Sequence, residues 1–240
     1  MALITRRRTP TARHGEVYYP ESDGKPMAET DVHRRQMMSL ISALDWRYRD
    51  DPLVYVSGNL LLYYEEGNPR KSVAPDTFVV KGVPKRLRPT YLLWAEGESP
   101  CVVFEVTSKS TRREDLVTKH ALYAGLGVRE YFLFDPLEEY LRPSLQGFRP
   151  VGEGYVPITP DAEGALECNE LGLRLMRVGL RLRLMDVATG ADVADDRARA
   201  EAERARAEAE HARAEAAEAE LARLRVMLGQ SPPGDGESRR

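Results

Sequence analysis

Cysteine is scarce. The chain has two in 240 residues, Cys101 and Cys168, too few for a disulfide framework and without the C-x2-C spacing of a zinc site. A reducing compartment is the expected setting. Long apolar runs are also missing: no window approaches the roughly eighteen apolar residues of a membrane-crossing helix. At the N-terminus, Met1-Ala2-Leu3-Ile4-Thr5-Arg6-Arg7-Arg8 places its charges after a short apolar stretch, whereas a signal peptide carries charge first and then about 7 to 15 apolar residues. A cytoplasmic location is expected. Neither sign of charge dominates, with 35 Lys and Arg against 38 Asp and Glu and a net charge of −3. Residues 195–240 hold 11 of those acids and 9 of the bases, leaving 27 and 26 for the rest. Uniform basicity as a route to nucleic acid is excluded, so attraction to a polyanion has to come from local patches.

What is present is a globular composition, 42% hydrophobic and 30% charged, in a chain long enough for one to two domains. Residues 1–26 carry Arg, Pro, Gly and Thr without periodicity and read as a flexible basic arm. A helix follows, capped by Thr30, with Val32, Met37, Leu40, Ile41 and Leu44 at helical spacing. Residues 53–64 read as one bulged strand or two short strands around Gly58-Asn59, and residues 73–81 as a strand with Pro75 at its start. Residues 82–89 form a basic loop.

The clearest unit lies further on. Residues 101–107 (C-V-V-F-E-V-T) make a nearly continuous apolar run, as in a strand buried on both faces. A helix is predicted from Ser110 or Thr111 to about Leu126, stopped by Gly127. Residues 129–135 (R-E-Y-F-L-F-D) form the next strand, closed by Pro136. Strand, helix, strand within about 35 residues is a right-handed crossover between parallel strands. Residues 137–192 turn to short segments that predict antiparallel hairpins. Residues 193–229 are rich in Ala, Glu and Arg and predict a long helix. A seven-residue spacing links Ala200, Ala207, Ala214, Leu221 and Leu228, which leaves a lone solvated helix and a small-residue coiled coil both open. Residues 230–240 read as disordered.

Two carboxylates stand out chemically. Glu105 interrupts an apolar strand, so it sits at an edge, is ion-paired, or is buried with compensation. Asp76 follows Pro75 just before Phe78-Val79-Val80, where a turn residue is the plain alternative. Carboxylates on neighbouring strands can converge on Mg2+, which takes one or two of them together with waters and phosphate oxygens. A nearby lysine would then offset phosphoryl charge, and Lys109 and Lys119 are the candidates. Asp115, one turn before Lys119, offers a structural salt bridge instead. Glu29 and His33 lie one turn apart near the first helix. Arg70, Lys71, Lys81, Lys85, Arg86 and Arg88 face only Asp76 within residues 70–88, and Lys109, Arg112 and Arg113 follow Glu105, so local positive patches bracket the acids. Among these, Arg70, Lys71, Lys85, Arg86, Arg88, Arg112 and Arg113 are the candidate nucleic-acid contacts.

The run V-A-P-D-T-F-V-V (73–80), then V-F-E-V-T-S-K-S-T-R-R-E-D-L (103–116) and K-H-A-L-Y-A-G-L-G-V-R-E-Y-F-L-F-D-P (119–136), resembles the Uma2 family of the PD-(D/E)xK nuclease superfamily over residues 26–185. The resemblance implies an α/β, restriction-endonuclease-like domain over residues 27–192, with a mixed central sheet flanked by helices, antiparallel hairpins after the core and the helical tail beyond. It implies Asp76 and Glu105 as catalytic and metal-holding acids, with Mg2+ or Mn2+. The superfamily's lysine is expected two residues past Glu105, where Thr107 stands, and the family pattern moves that role to Lys119. Glu29, Thr107 and Lys109 are supporting candidates. The expected activity is metal-dependent endonucleolytic hydrolysis of nucleic acid, DNA first, by a homo-oligomer, a dimer in the simplest case. A non-catalytic nuclease-like module that binds nucleic acid or protein and assembles through its tail is the alternative.

Overall fold

A computed structural model of the chain describes residues 17–22, 24, 30–108, 113–152 and 154–227. Glu29, Lys109, Arg112 and the tail beyond residue 227 lie outside them. The chain divides into two compact units, one ending at Asp195 and one beginning at Asp196.

The first unit is built on a six-stranded sheet. Its strands are β1 (Val54–Ser57), β4 (Thr77–Lys81), β6 (Val102–Val106), β7 (Glu130–Phe134), β8 (Leu145–Val151) and β9 (Gly154–Pro157), in the spatial order β1-β4-β6-β7-β8-β9. Only β6 and β7 run parallel, as the crossover requires, and every other neighbour is antiparallel. Both parallel strands are buried at every residue, which accounts for their unbroken apolar text.

Alternation along these strands sends side chains to two separate cores. One face packs Val79, Phe104, Phe132 and Phe134 under helix α1 (Asp31–Arg47) and under a second antiparallel sheet, β10 (Leu166–Cys168), β11 (Leu173–Val178) and β12 (Arg181–Asp186). Glu130 ties the two sheets together. Its buried carboxylate accepts from the main-chain N–H groups of Asn169 and Glu170 and from Cys168 Sγ, and it pairs with Arg149. The other face packs Phe78, Val103, Tyr131 and Leu133 against Tyr123 and Tyr91. It is covered by α3 (His120–Gly125) and by a small sheet of β2 (Leu62–Tyr63), β3 (Ser72–Val73) and β5 (Tyr91–Leu92). A short helix, α2 (Leu93–Glu96), follows β5.

Several expectations are corrected. The single strand at residues 73–81 is two, because Pro75 has no N–H to give a ladder; β3 joins the small sheet and β4 the central one. Of the two readings of residues 53–64, two short strands is the one found; they join different sheets, with Asn59 at φ +48 between them. The hairpins of residues 137–192 are divided, β8 and β9 extending the central sheet and β10–β12 forming their own. The arm is pinned near its end: the Tyr19 hydroxyl accepts from the Gly67 N–H, its ring packs on Tyr63 and Trp94, and Pro20 oxygen accepts from the Tyr63 hydroxyl. Residues 193–195 belong to the first unit, where Val193 N–H bonds Leu184 oxygen.

The second unit is α4 (Asp196–Met227), 32 residues with none buried, or about 48 Å of helix at 1.5 Å per residue. Its solvated side chains pair along the helix, Arg197 with Glu201 and His211 with Glu215. Among the described residues no helix is long and apolar enough to cross a membrane.

Candidate active site

Strand register brings the two acids together. β4 and β6 pair Thr77 with Phe104 and Phe78 with Val103, so one further step sets Asp76 opposite Glu105. Both then point to the face of Phe78 and Val103, towards α3. Side chains directly opposed in an antiparallel ladder have Cβ atoms about 4.5–5.5 Å apart. Asp76 is locked in that place from three sides. Its Oδ2 accepts the Val106 N–H at 2.7 Å and lies 2.9 Å from His33 Nε2, which donates to it. Behind it, the Asn59 N–H bonds Pro75 oxygen at 2.8 Å. Among the described residues, Asp76 Oδ1 takes no hydrogen bond.

Glu105 is 1% exposed. Lys119 Nζ donates to its Oε2 at 2.9 Å and the Tyr123 hydroxyl to its Oε1 at 2.7 Å. Lys119 also lies 3.2 Å from Asp115 Oδ1. Burial pushes the Glu105 carboxyl up to about 8, Lys119 opposes that rise, and Asp76 and Asp115 add to it. Burial alone would lower the Lys119 ammonium, but Glu105, Asp115 and Asp76 outweigh it and hold the group above its usual value. The Tyr123 hydroxyl is raised too, first by burial and then by Glu105.

These groups reach the sheet from a helix whose described part opens on a widened turn, its expected start at Ser110 or Thr111 lying outside the described residues. Glu114–Lys119 is π-helical and passes into α3 at His120; such widened turns are rare and concentrate at functional sites. Asp115 and Lys119, four residues apart, both face the sheet. The helix ends as expected beside Gly127, whose φ is +78.

Three carboxyl groups, Asp76, Glu105 and Asp115, thus gather in a mostly buried place, where Lys119 pairs with Glu105 and Asp115 and His33 with Asp76. That shortage of positive charge suits a divalent cation. Among the described residues no three His, Cys, Asp or Glu side chains are gathered to hold a metal ion by themselves, but Mg2+ commonly takes one or two carboxylates and completes its shell with water and phosphate oxygens. Asp76 Oδ1 and the remaining lone pairs of Glu105 fit that demand, since an ionised carboxylate has about four acceptor sites.

The basic candidates separate into two groups. Arg88 is withdrawn from any polyanion: its side chain is 2% exposed, grips both oxygens of Glu96 at 2.8 Å, and stacks on Tyr55 at 4.2 Å. Arg86 shares Glu96, and Lys85 pairs with Asp45 and donates to Tyr48 oxygen. Lys81 is engaged by Glu170. Most of the apparent positive excess in residues 70–88 is therefore cancelled by acids distant in sequence, which build the loop. Arg70, Lys71 and Arg113 stand exposed. Thr107, two residues past Glu105, is buried and donates to Asp115 at 2.6 Å.

Four residues given no catalytic role in the sequence belong to this constellation: His33, noted only beside the first helix, Asp115, expected as a salt-bridge partner of Lys119 and found as one, and Tyr123 and Tyr140. For Asp115 and Tyr123 the signal was available, since each is spaced by four from Lys119. His33 shows only its place near the helix start, and Tyr140 has no sequence signal.

None of the curated proteins matches the chain. A crystal structure described as a "putative nuclease belonging to DUF820 from Anabaena variabilis ATCC 29413" is 16% identical, with a TM-score of 0.46, over 61% of this chain and 76% of that one. The model of the Uma2 family, described as "Putative restriction endonuclease", matches residues 10–178. With most of the first unit inside that match, Asp76, Glu105 and Lys119 among it, the chain belongs to the Uma2 family.

Proposed function

We propose that the chain is a metal-dependent endonuclease that hydrolyses phosphodiester bonds of nucleic acid, DNA in the first place, with Mg2+ or Mn2+ held by Asp76 and Glu105. The observation that carries this reading is the buried Glu105 opposite Asp76, with one lysine shared between Glu105 and Asp115. A bound cation would supply Lewis-acid stabilisation of charge on the phosphoryl oxygens and a lowered pKa for attacking water. The chain's own groups do the rest. His33 and the Val106 N–H fix the Asp76 carboxylate, Tyr123 fixes Glu105, and the Lys119 ammonium offsets charge developing on the phosphate. Arg70, Lys71 and Arg113, exposed and basic, are the remaining candidates to meet the polyanion.

The full chain with Mg2+ or Mn2+ is expected to cut DNA, and Asp76→Ala or Glu105→Ala to lose both cutting and the heat of Mg2+ binding in titration calorimetry. Undiminished cleavage by both variants would remove this site from the reaction. A parallel assay on RNA of the same sequence decides the polymer.

We propose further that copies assemble through the second unit. Along α4, Ala202, Ala205, Ala209, Ala212, Ala216 and Ala219 form a seam at alternating steps of three and four. Glu201, Glu208 and Glu215 flank it on one side and Arg199, Arg206 and Arg213 on the other, the order in which parallel copies attract. Deleting residues 196–240 is expected to lower the mass in solution, measured by light scattering, to that of one chain. An unchanged oligomer would take the tail out of that role.

A further inference from the structure

Next to the acids runs a buried polar chain that the reaction outlined above does not use. Thr107 and Asp115 are 3% and 1% exposed. Thr107 Oγ1 donates to Asp115 Oδ2 at 2.6 Å, and the Tyr140 hydroxyl meets the same Oγ1. A carboxylate only accepts and a hydroxyl has one hydrogen to give, so in the second pair Tyr140 is the donor. Tyr140 is itself seated by its main-chain N–H, which together with that of Leu141 bonds Asp135 Oδ2 at 2.9 and 3.0 Å. At the other end, Asp115 Oδ1 faces the Lys119 ammonium at 3.2 Å, and that ammonium faces Glu105 at 2.9 Å. The Tyr131 hydroxyl donates to the Asp115 main-chain oxygen at 3.0 Å, within the widened turn.

Support of the helix does not explain this arrangement. A second carboxylate beside Glu105 adds to the burden of negative charge, and a neutral or apolar residue would hold the helix at less cost. Asp115 offers something else, a fixed second negative charge 3.2 Å from the ammonium. A lysine carries a compact charge on a flexible four-carbon stem; with Glu105 alone it is tethered at one point, and with Asp115 it is held between two. We propose that Asp115 is the positioning residue of Lys119, and that Thr107 and Tyr140 hold Asp115 in place for that purpose. For its effect on rate, this rests on the nuclease reading.

The test uses the full chain with Mg2+ and a DNA substrate. Asp115→Asn keeps the shape and removes the charge; it is expected to lower kcat about 10- to 100-fold, as losing the partner that orients a metal-site group does, with KM and the Mg2+ affinity from calorimetry unchanged. Lys119→Met lowers kcat at least as far, and the Asp115→Asn/Lys119→Met double variant no further than Lys119→Met alone, because Asp115 acts only through the lysine. Multiplied losses in the double variant would overturn the proposal. Thr107→Val is expected to act in the direction of Asp115→Asn and Thr107→Ser to restore the rate, so a folding failure at position 115 leaves this second pair to decide. Reductive methylation read by mass spectrometry needs no activity. Lys119 should resist labelling in the wild type and in Thr107→Ser, and accept it in Asp115→Asn and Thr107→Val. Equal labelling in all four overturns the positioning role. Graded labelling in a chain that cuts nothing leaves that role standing and removes the nuclease reading.

Discussion

Glu105→Gln is expected to give a chain that cuts no nucleic acid yet outlasts the wild type at alkaline pH. On the proposed reading Glu105 is a cation ligand, whose loss removes several kcal/mol of transition-state stabilisation, so cleavage should fall by about 10³-fold or more. Stability moves the other way for a reason of sign. Burial pushes the Glu105 carboxyl up to about 8 in the folded chain, above the ordinary carboxylic range. A raised carboxyl pKa favours the fold fully below that ordinary range, and the benefit is lost as pH rises towards about 8. Beyond that point the fold has to keep a buried charge, which glutamine does not carry. Lys119 keeps Asp115 as a partner in the variant, so no cation is stranded. Thermal melts with chelator present should show the two proteins nearly level at pH 5 and the variant ahead at pH 9. A gap that does not widen with pH would mean that Glu105 is not the group under strain.

Gly58→Ala should damage the same site from behind. A Cβ at Gly58 would stand 2.0 Å from the main-chain oxygen of Asp76 and 2.6 Å from Ile41 Cδ1. The ring of Pro75 and the Asn59 bond to Pro75 oxygen leave that carbonyl little room to retreat. Overpacking of this kind costs about 1–3 kcal/mol, and the relief available is to move Asp76. Misplacement of a reacting group by about 1 Å is worth roughly 10²-fold in rate. Urea unfolding and Mg2+ titration should therefore both register the change, the first as a lower midpoint and the second as weaker binding. A variant with wild-type values in both would show that the turn slides freely over Asp76.

How much of this was legible in the sequence depends on how far each signal reached along the chain. β6 and β7 could be read because burial on both faces writes itself as an apolar run, and Glu105 could be read because it breaks one. The crossover helix and its stop at Gly127 are local signals of the same kind. The break at Pro75 was half visible: proline announced an edge, but the partners that take its two sides into different sheets are β1 and β2, earlier in the chain. Arg88 shows the limit most sharply. Its loop reads as a basic patch, while Glu96, which neutralises it, lies beyond β5 and is recognisable as its partner only in three dimensions. The widened turn at Glu114–Lys119 is likewise met by Tyr131 on β7 and by Thr107 just past the end of β6.

Cys101 and Cys168, few as they are, give the first unit a built-in record of its own opening. Cys101 is 1% exposed and burial pushes its thiol up to about 11; Cys168 is fully covered, and burial and then Glu130 raise its thiol well above the usual range. Only a thiolate within reach of solvent is nucleophilic, so both sulfurs stay silent towards alkylating reagents while the second sheet remains seated on the first. Each labelled thiol then marks one excursion in which that seam has parted, and the two together time the separation of the sheets without any added probe.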